Sequence, residues 1–333
     1  MSDDMIEFDP FDGMSDEEID AMVDASPAGP ALVSDAGDGF KSGFVALVGR
    51  PNAGKSTLLN ACFGKKVAIT SPVAQTTRRR MRAVVNRPGC QIVFVDTPGI
   101  HKPKDGLGSE LNKSALAELS DVDVVCFTLD ATKPFGRGDA WVADKVAQSG
   151  AKKVLVITKA DVAKPEQVIS QIAEAKKLID FDDEIVTSST EGFNVEAFID
   201  TVSAFLPEGP RWFPEGMGTD TDDETLVSEF VREKVLLRTR EEIPHSVGVI
   251  CDMIERDGNL TRVCATIYVE REGQKGILIG KGGDMIKHIG SDARRDLERL
   301  FGTKVYLMLD VKVKRGWRND EDQIKRFGYS ADE

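Results

Sequence analysis

The chain is expected to be α/β, with a mostly parallel sheet covered by helices on both faces, followed by a smaller α+β domain. Three observations predict this. Between residues 44 and 206, short apolar runs alternate with helical patterns, as in a parallel sheet buried on both sides. The first run leads into a glycine-rich loop, Gly49-Arg50-Pro51-Asn52-Ala53-Gly54-Lys55-Ser56, and then into helix-forming residues at 57–61. After residue 225 the order becomes helix, two alternating strands, helix, a Gly-x-x-Gly turn, helix and strand. A length of 333 residues suits about two domains, and a 41% hydrophobic fraction can fill both cores.

Residues 1–39 read as a disordered acidic extension. They hold Asp3, Asp4, Glu7, Asp9, Asp12, Asp16, Glu17, Glu18, Asp20, Asp24, Asp35 and Asp38, and no Lys or Arg. These twelve acids account for nearly all of the net charge of −13, so the remainder is close to neutral and can accept a nucleic-acid partner. Ser15-Asp16-Glu17-Glu18 ahead of Ile19, Met22 and Val23 can cap a short partner-binding helix. Five scattered cysteines without metal-ligand spacing read as buried thiols in a reducing compartment. With no membrane-spanning run and no signal-peptide core, the expected location is cytoplasmic.

The first folded domain is expected over residues 40–207. Its strands are expected at 44–48, 92–95, 122–129, 153–157 and 185–186, with an additional edge strand at 81–85. Ligands of such sheets sit at the carboxyl ends of the strands, and five motifs fall there. Gly49 to Ser56 fits G-x-x-x-x-G-K-[ST]. Its glycines let backbone N–H groups face phosphate oxygens, Lys55 brings charge to the β- and γ-phosphates, and the Ser56 hydroxyl suits Mg²⁺. In Asp96-Thr97-Pro98-Gly99, Asp96 can hold Mg²⁺ through water, and the Gly99 N–H can sense a γ-phosphate. In Ala74-Gln75-Thr76-Thr77-Arg78, one threonine can complete the Mg²⁺ shell, Thr77 being favoured over Thr76. The bland alternative for that stretch is a solvated loop with a basic cluster at Arg78, Arg79, Arg80 and Arg82. In Thr158-Lys159-Ala160-Asp161, Asp161 can accept hydrogen bonds from guanine N1–H and its exocyclic amine, while Lys159 covers the base plane. After 185–186 comes Ser188-Ser189, where the Ser189 N–H can read guanine O6. Lys55, Thr77, Asp96 and Gly99 are the catalytic candidates, and Ser56, Thr77 and Asp96 the Mg²⁺ ligands.

These motifs occur in the order of a GTPase domain, and the chain resembles the Era family. The resemblance rests on Gly49 through Ser56 with Thr57, on Gln75-Thr76-Thr77-Arg78, and on Asp96-Thr97-Pro98-Gly99-Ile100-His101-Lys102-Pro103. It implies a P-loop GTPase domain that turns GTP into GDP and phosphate with Mg²⁺. Thr158 stands where that family usually has Asn, so guanine preference is expected to rest on Asp161, with weaker affinity. Ile100 occupies the place of a water-orienting glutamine in Ras-like enzymes, so unaided hydrolysis should be slow. Asn52 matches a position that holds K⁺ in related GTPases.

Residues 208–224, rich in Pro, Gly and acid, read as a linker. Residues 225–318 resemble a KH domain of the second topology, an RNA-binding fold, and 319–333 read as a C-terminal tail. A Gly-x-x-Gly loop between helices clamps a single-stranded RNA backbone. Here it is Gly280-Lys281-Gly282-Gly283, preceded by Ile279. From Arg271 to Arg318, twelve Lys or Arg face six acids, a basic footprint. The RNA-binding candidates are Ile279, Gly280, Lys281, Gly282, Gly283, Lys287, Arg294, Arg295, Lys314, Arg315, Trp317 and Arg318, with Trp317 either stacking on a base or packing inside. The three histidines are isolated, so no Ser-His-Asp hydrolase is supported.

The resemblance further implies binding to 16S rRNA near its 3′ end, assistance to biogenesis of the 30S subunit, a monomer, and peripheral association with the inner face of the cell membrane. Two other readings stay open: an RNA chaperone with a decayed nucleotide site, suggested by Thr158, and a GTPase of tRNA modification or large-subunit assembly. Intact Lys55 and Ser56, and a KH domain after a single GTPase domain, weigh against them.

Overall fold

The structure is a computed structural model and describes residues 39–73, 76–100, 103, 105–241 and 243–329. The acidic extension up to residue 38, its expected helix, and Ala74, Gln75, His101 and Lys102 lie outside the described residues.

The N-terminal domain is a six-stranded sheet of order β2-β3-β1-β4-β5-β6. Its strands are β1 (Lys41–Val48), β2 (Met81–Arg87), β3 (Cys90–Asp96), β4 (Val124–Asp130), β5 (Lys152–Thr158) and β6 (Asp183–Val186). All neighbours pair in parallel except β2, the edge strand, which runs antiparallel to β3. The strands read as continuous apolar runs because both faces are covered. Val45 and Leu47 join the cluster under α1 (Lys55–Phe63) and α5 (Val195–Phe205), with Leu58 and Phe198. Ala46 and Val48 join the opposite one, with Ala115 of α2 (Gly106–Ala117), Val142 of α3 (Arg137–Gln148) and Ala175 of α4 (Pro165–Lys176). Parallel register sets the strand ends side by side: Leu47 lies opposite Asp96, and Asp130 opposite Thr158.

The Pro- and Gly-rich stretch after Leu206 lies along the edge of this sheet. The Gln91 side chain donates to the Phe213 carbonyl at 2.8 Å and accepts from the Trp212 N–H at 2.8 Å. The Val84 N–H donates to the Gly218 carbonyl at 2.9 Å, which satisfies a donor that an open edge would leave bare.

The C-terminal domain is built from α6 (Asp223–Arg238), α7 (Ile243–Ser246), β7 (Gly248–Asp257), β8 (Leu260–Val269), α8 (Glu272–Ile279), α9 (Asp284–Phe301) and β9 (Lys304–Val313). The sheet order is β7-β8-β9, antiparallel and then parallel. Asp257 pairs with Leu260 across a two-residue turn, which Gly258 enters with φ of 56°. Ile289, Ala293 and Leu297 recur along one face of α9 and pack on this sheet.

After β9 the chain folds back between the domains. α10 (Glu321–Arg326) follows a short turn at Trp317–Asn319, and Trp317, Phe327 and Tyr329 form a buried cluster with Leu107 and Leu111 of α2. No helix among the described residues is long and apolar enough to cross a membrane.

Candidate functional site

The glycine-rich loop joins β1 to α1. Asn52 and Gly54 take left-handed φ of 66° and 93°, turning successive N–H groups toward one side. α1 has no side-chain cap, so its first N–H groups and positive end are available to an anion. Lys55 is buried, and its Nζ lies 3.3 Å from the carbonyls of Gly49 and Arg50. Burial pulls its pKa below the usual lysine range, with Asp96 opposing.

Asp96, at the end of β3, is wholly buried. Its Oδ2 accepts from Ser56 Oγ at 2.5 Å and from Thr77 Oγ1 at 3.1 Å, and the two hydroxyls lie 3.0 Å apart. Burial pushes its carboxyl up, while Lys55, Ser56 and Thr77 pull it down. Asp96 Oδ1 is buried with no hydrogen-bond partner among the described residues. One carboxylate and two hydroxyls converging beside such an orphan oxygen form a hard oxygen donor set, which fits Mg²⁺. Thr76 is turned away, bonding to Val73 O at 2.7 Å within its own loop.

Close approach dictates two of the glycines. A Cβ at Gly99 would lie 2.7 Å from the Pro51 backbone, and one at Gly49 would lie 2.4 Å from Thr128 O. Thr97 Oγ1 donates to Leu47 O at 2.9 Å, pinning this loop to β1. Ile100 is buried in the sheet core, and its N–H donates to Gly49 O at 3.2 Å. Asn52 Nδ2 donates to Pro72 O at 2.7 Å, linking the glycine-rich loop to the segment that leads to Thr76.

On the base side, the Thr158 hydroxyl lies 2.7 Å from Ala53 O and 3.1 Å from Leu129 O, so it tethers the glycine-rich loop despite its short arm. Lys159 Nζ reaches Asn52 O at 2.8 Å and Asp130 Oδ2 at 2.6 Å. Burial raises the Asp130 carboxyl, but hydrogen bonds from Lys159 and Thr132 outweigh it and hold the group low. Asp161 is exposed, and its Oδ1 accepts from the buried Ser188 at 2.7 Å. Ser189 is half-buried beside it. Asp130, absent from the expected site, anchors Lys159. It stands at the carboxyl end of β4 among the motif-bearing strand ends, a position that could have flagged it.

The second candidate site lies in the C-terminal domain. Gly280, Gly282 and Gly283 take φ of 72°, 62° and 83° between α8 and α9, so the loop needs its glycines. Lys281, Lys287, Arg294 and Arg295 are exposed near this loop and along α9, though Arg295 pairs with Asp292. Ile279 is half-buried against the core. A cavity of about 300 Å³ opens between α9 and β9, lined by Ile286, Lys287, Gly290, Arg294, Tyr306 and Leu309. Tyr306 and Met308 are exposed on edge strand β9. Sequence reasoning missed this wall because β9 reads as an ordinary strand, and only its edge position exposes alternate residues.

Two expectations need correction. Trp317 is fully buried: its Nε1–H donates to Ser246 O at 2.9 Å and its ring lies 4.6 Å from that of Phe327. No base can stack on it. Arg318 is taken up by Glu270 at 2.8 Å and Asp105 at 3.2 Å, so its charge ties the domains together. Lys314, half-buried, and Arg315, exposed, follow β9.

Comparison with known proteins bears on both halves. Residues 44–159 match a family described as 50S ribosome-binding GTPase, and residues 242–318 match the KH domain. GTPase Era of Staphylococcus epidermidis is 46% identical over 294 residues, spanning 88% of this chain and 98% of that protein. A crystal structure of Era with MgGDPNP and nucleotides 1506–1542 of 16S ribosomal RNA superposes with a TM-score of 0.84 at 40% identity, covering 87% of this chain and 99% of that one. Era of Aquifex aeolicus, as a single-residue variant bound to GDP·AlF4⁻, superposes at 0.83 with 39% identity, over 87% of this chain and all of that one. The likeness runs unbroken through both domains, and the chain belongs to the Era family of GTPases.

Proposed function

We propose that this chain is a GTP-hydrolysing switch that binds 16S rRNA near its 3′ end and assists biogenesis of the 30S subunit. The observation that carries the reading is the meeting of Ser56, Thr77 and Asp96 at the uncapped start of α1. The Era structure with MgGDPNP and nucleotides 1506–1542 supports the choice of both ligands. In this reading residues 40–207 form the GTPase domain, 208–224 the connection, 225–318 the KH domain and 319–333 the C-terminal segment.

Lys55 and the N–H groups of residues 49–57 hold the phosphates. Ser56, Thr77 and Asp96 would hold Mg²⁺, which would supply positive charge to offset the charge that develops on the phosphates. The Gly99 N–H meets the γ-phosphate, and Pro98 and Thr97 fix its loop. Asp161, oriented by Ser188, reads the guanine edge, Ser189 N–H reads O6, and Lys159 lies over the base. Ile100 is packed away and cannot orient water, so hydrolysis depends on a further group. K⁺ near Asn52 is one such group, and faster turnover in K⁺ than in Na⁺ is its signature. The loop at 280–283, with Ile279, Lys281, Lys287, Arg294, Arg295, Lys314 and Arg315, holds RNA against the α9–β9 cavity and Tyr306. The protein acts as a cytoplasmic monomer. The same basic residues are what an anionic bilayer would meet, so contact with the membrane is peripheral and electrostatic.

The test is crosslinking in cells followed by sequencing of the bound RNA, with GTP binding measured by calorimetry. Reads should concentrate at the 3′ end of 16S rRNA. Enrichment of tRNA or large-subunit RNA overturns the assignment, and absence of GTP binding favours the chaperone reading.

A further inference from the structure

The deepest joint between the domains flanks Thr77. Arg232 of α6 is completely buried, and Glu229 beside it is 1% exposed. Arg232 Nε donates to Glu229 Oε1 at 3.0 Å, and its Nη2 donates both to Glu229 Oε2 and to the main-chain carbonyl of Thr76. The next residue is Thr77, whose hydroxyl sits on Asp96 and Ser56. On its other side Arg78, 2% exposed, donates to the carbonyls of Val247 at 2.5 Å and of Pro244 and His245 at 3.1 Å. Thr77 is therefore strung between two guanidinium anchors, one reaching in from the C-terminal domain and one reaching out to it.

The Arg232 anchor differs in kind from ordinary packing. A planar guanidinium held through Nε and Nη2 by both oxygens of a carboxylate has few ways to move, so the carbonyl that Nη2 also grips is placed within a narrow range. α6 packs against β7 and α9 of the KH domain. A displacement of α6 thus reaches the Thr76 carbonyl with no flexible link between.

We propose that Arg232, held by Glu229, is a positioning residue for Thr77, through which the C-terminal domain sets the preference of the nucleotide site for triphosphate over diphosphate. This rests on the functional reading above. Diphosphate is held by Lys55, the glycine-rich loop and Asp161, whereas triphosphate with Mg²⁺ also calls on Thr77. A residue that merely glues the domains together would affect both nucleotides alike.

The full chain is compared as parent, Arg232→Lys, Thr77→Ala and the double variant, titrated with fluorescent GDPNP and GDP over a series of Mg²⁺ concentrations. Arg232→Lys keeps a charge for Glu229 but loses the fork that also reaches Thr76. It should weaken GDPNP about tenfold, as expected for loss of one charge-assisted hydrogen bond, and leave GDP within about twofold. Added Mg²⁺ should recover part of the loss. Thr77→Ala should show the same selectivity, and the double variant should be little worse than either single one, since both break one chain of contacts. Equal loss for both nucleotides, no loss, or full additivity overturns the proposal. Should Arg232→Lys fail to fold, Glu229→Gln, which keeps the shape but loosens the grip on Arg232, carries the same comparison. If the parent itself binds neither nucleotide, the functional reading fails; if it binds both and only the variant pattern is wrong, this inference alone is lost.

Discussion

Thr158 ties two parts of the nucleotide site together with a single hydroxyl. Its hydroxyl reaches the Ala53 carbonyl at 2.7 Å, so the glycine-rich loop stays tethered to the end of β5. A threonine offers one proton where an asparagine amide offers two, and in the proposed function the base is read by Asp161. That residue is exposed and oriented by Ser188 at 2.7 Å. Replacing it by Asn reverses one donor–acceptor pair against the base. Asp161→Asn is expected to lower GTP affinity by a factor on the order of 10² or more and to raise affinity for xanthosine nucleotides, because a mispaired buried polar edge is costly. Competition binding with GTP and XTP measures this, and unchanged preference for GTP would remove Asp161 from the base site.

Individual elements are fastened by charges that the chain places far apart. Lys66, just after α1, bonds Asp296 of α9 at 2.8 Å and pairs with Glu233 of α6, while Lys234 pairs with both acids. Glu233 also accepts from the Thr70 N–H at 2.9 Å. The network joins the GTPase domain to two helices of the KH domain. Burial alone would raise the Asp296 carboxyl, but Lys234 and Lys66 outweigh it and hold the group below its ordinary value. A carboxyl depressed on folding stabilises the fold above its unfolded pKa, and that contribution fades as pH falls through the folded value. Asp296→Asn should therefore cost about 1–3 kcal/mol at neutral pH, the range for losing a charged hydrogen-bond partner, and the gap from the parent should shrink below about pH 4. Urea unfolding at the two pH values checks this; a gap that stays constant would mean that Asp296 acts through shape alone.

At the scale of the whole molecule, the segment from Thr76 to Arg79 joins the nucleotide site to the C-terminal domain. Arg79 donates to Phe327 O at 2.7 Å, and Arg78 lies 5.8 Å from the centre of the Trp317 ring. That ring belongs to a cluster packed on α2 of the GTPase domain, and each large side chain so buried is worth about 1.5–3 kcal/mol. An interface so continuous should let one ligand alter the hold on the other, with a coupling of about 1–3 kcal/mol, or roughly 5- to 150-fold. Binding of an oligoribonucleotide from the 16S 3′ end, measured by fluorescence anisotropy, should thus differ at least fivefold between GDPNP and GDP. Equal affinities would separate the halves into independent modules.

Gly49, Gly54, Lys55, Asp96 and Gly280 to Gly283 were legible from the amino-acid sequence, as were the strands, their edge member and the order of the two folds. Gly49 answers to the distant carbonyl of Thr128, but most of these features impose their demands locally: a glycine at positive φ, a lysine at the start of a helix, an apolar run long enough to cross a sheet. The fate of Trp317, Arg318, Arg78 and Arg232 was not legible. Trp317 and Arg318 sit in a basic stretch that reads as an RNA surface, yet their partners are Ser246, Glu270 and Asp105. Arg78 and Arg232 meet groups more than 150 residues away. Whether an arginine faces solvent or vanishes into an interface depends on which carbonyls and carboxylates the fold brings to it, and distant segments meet only once both domains have docked.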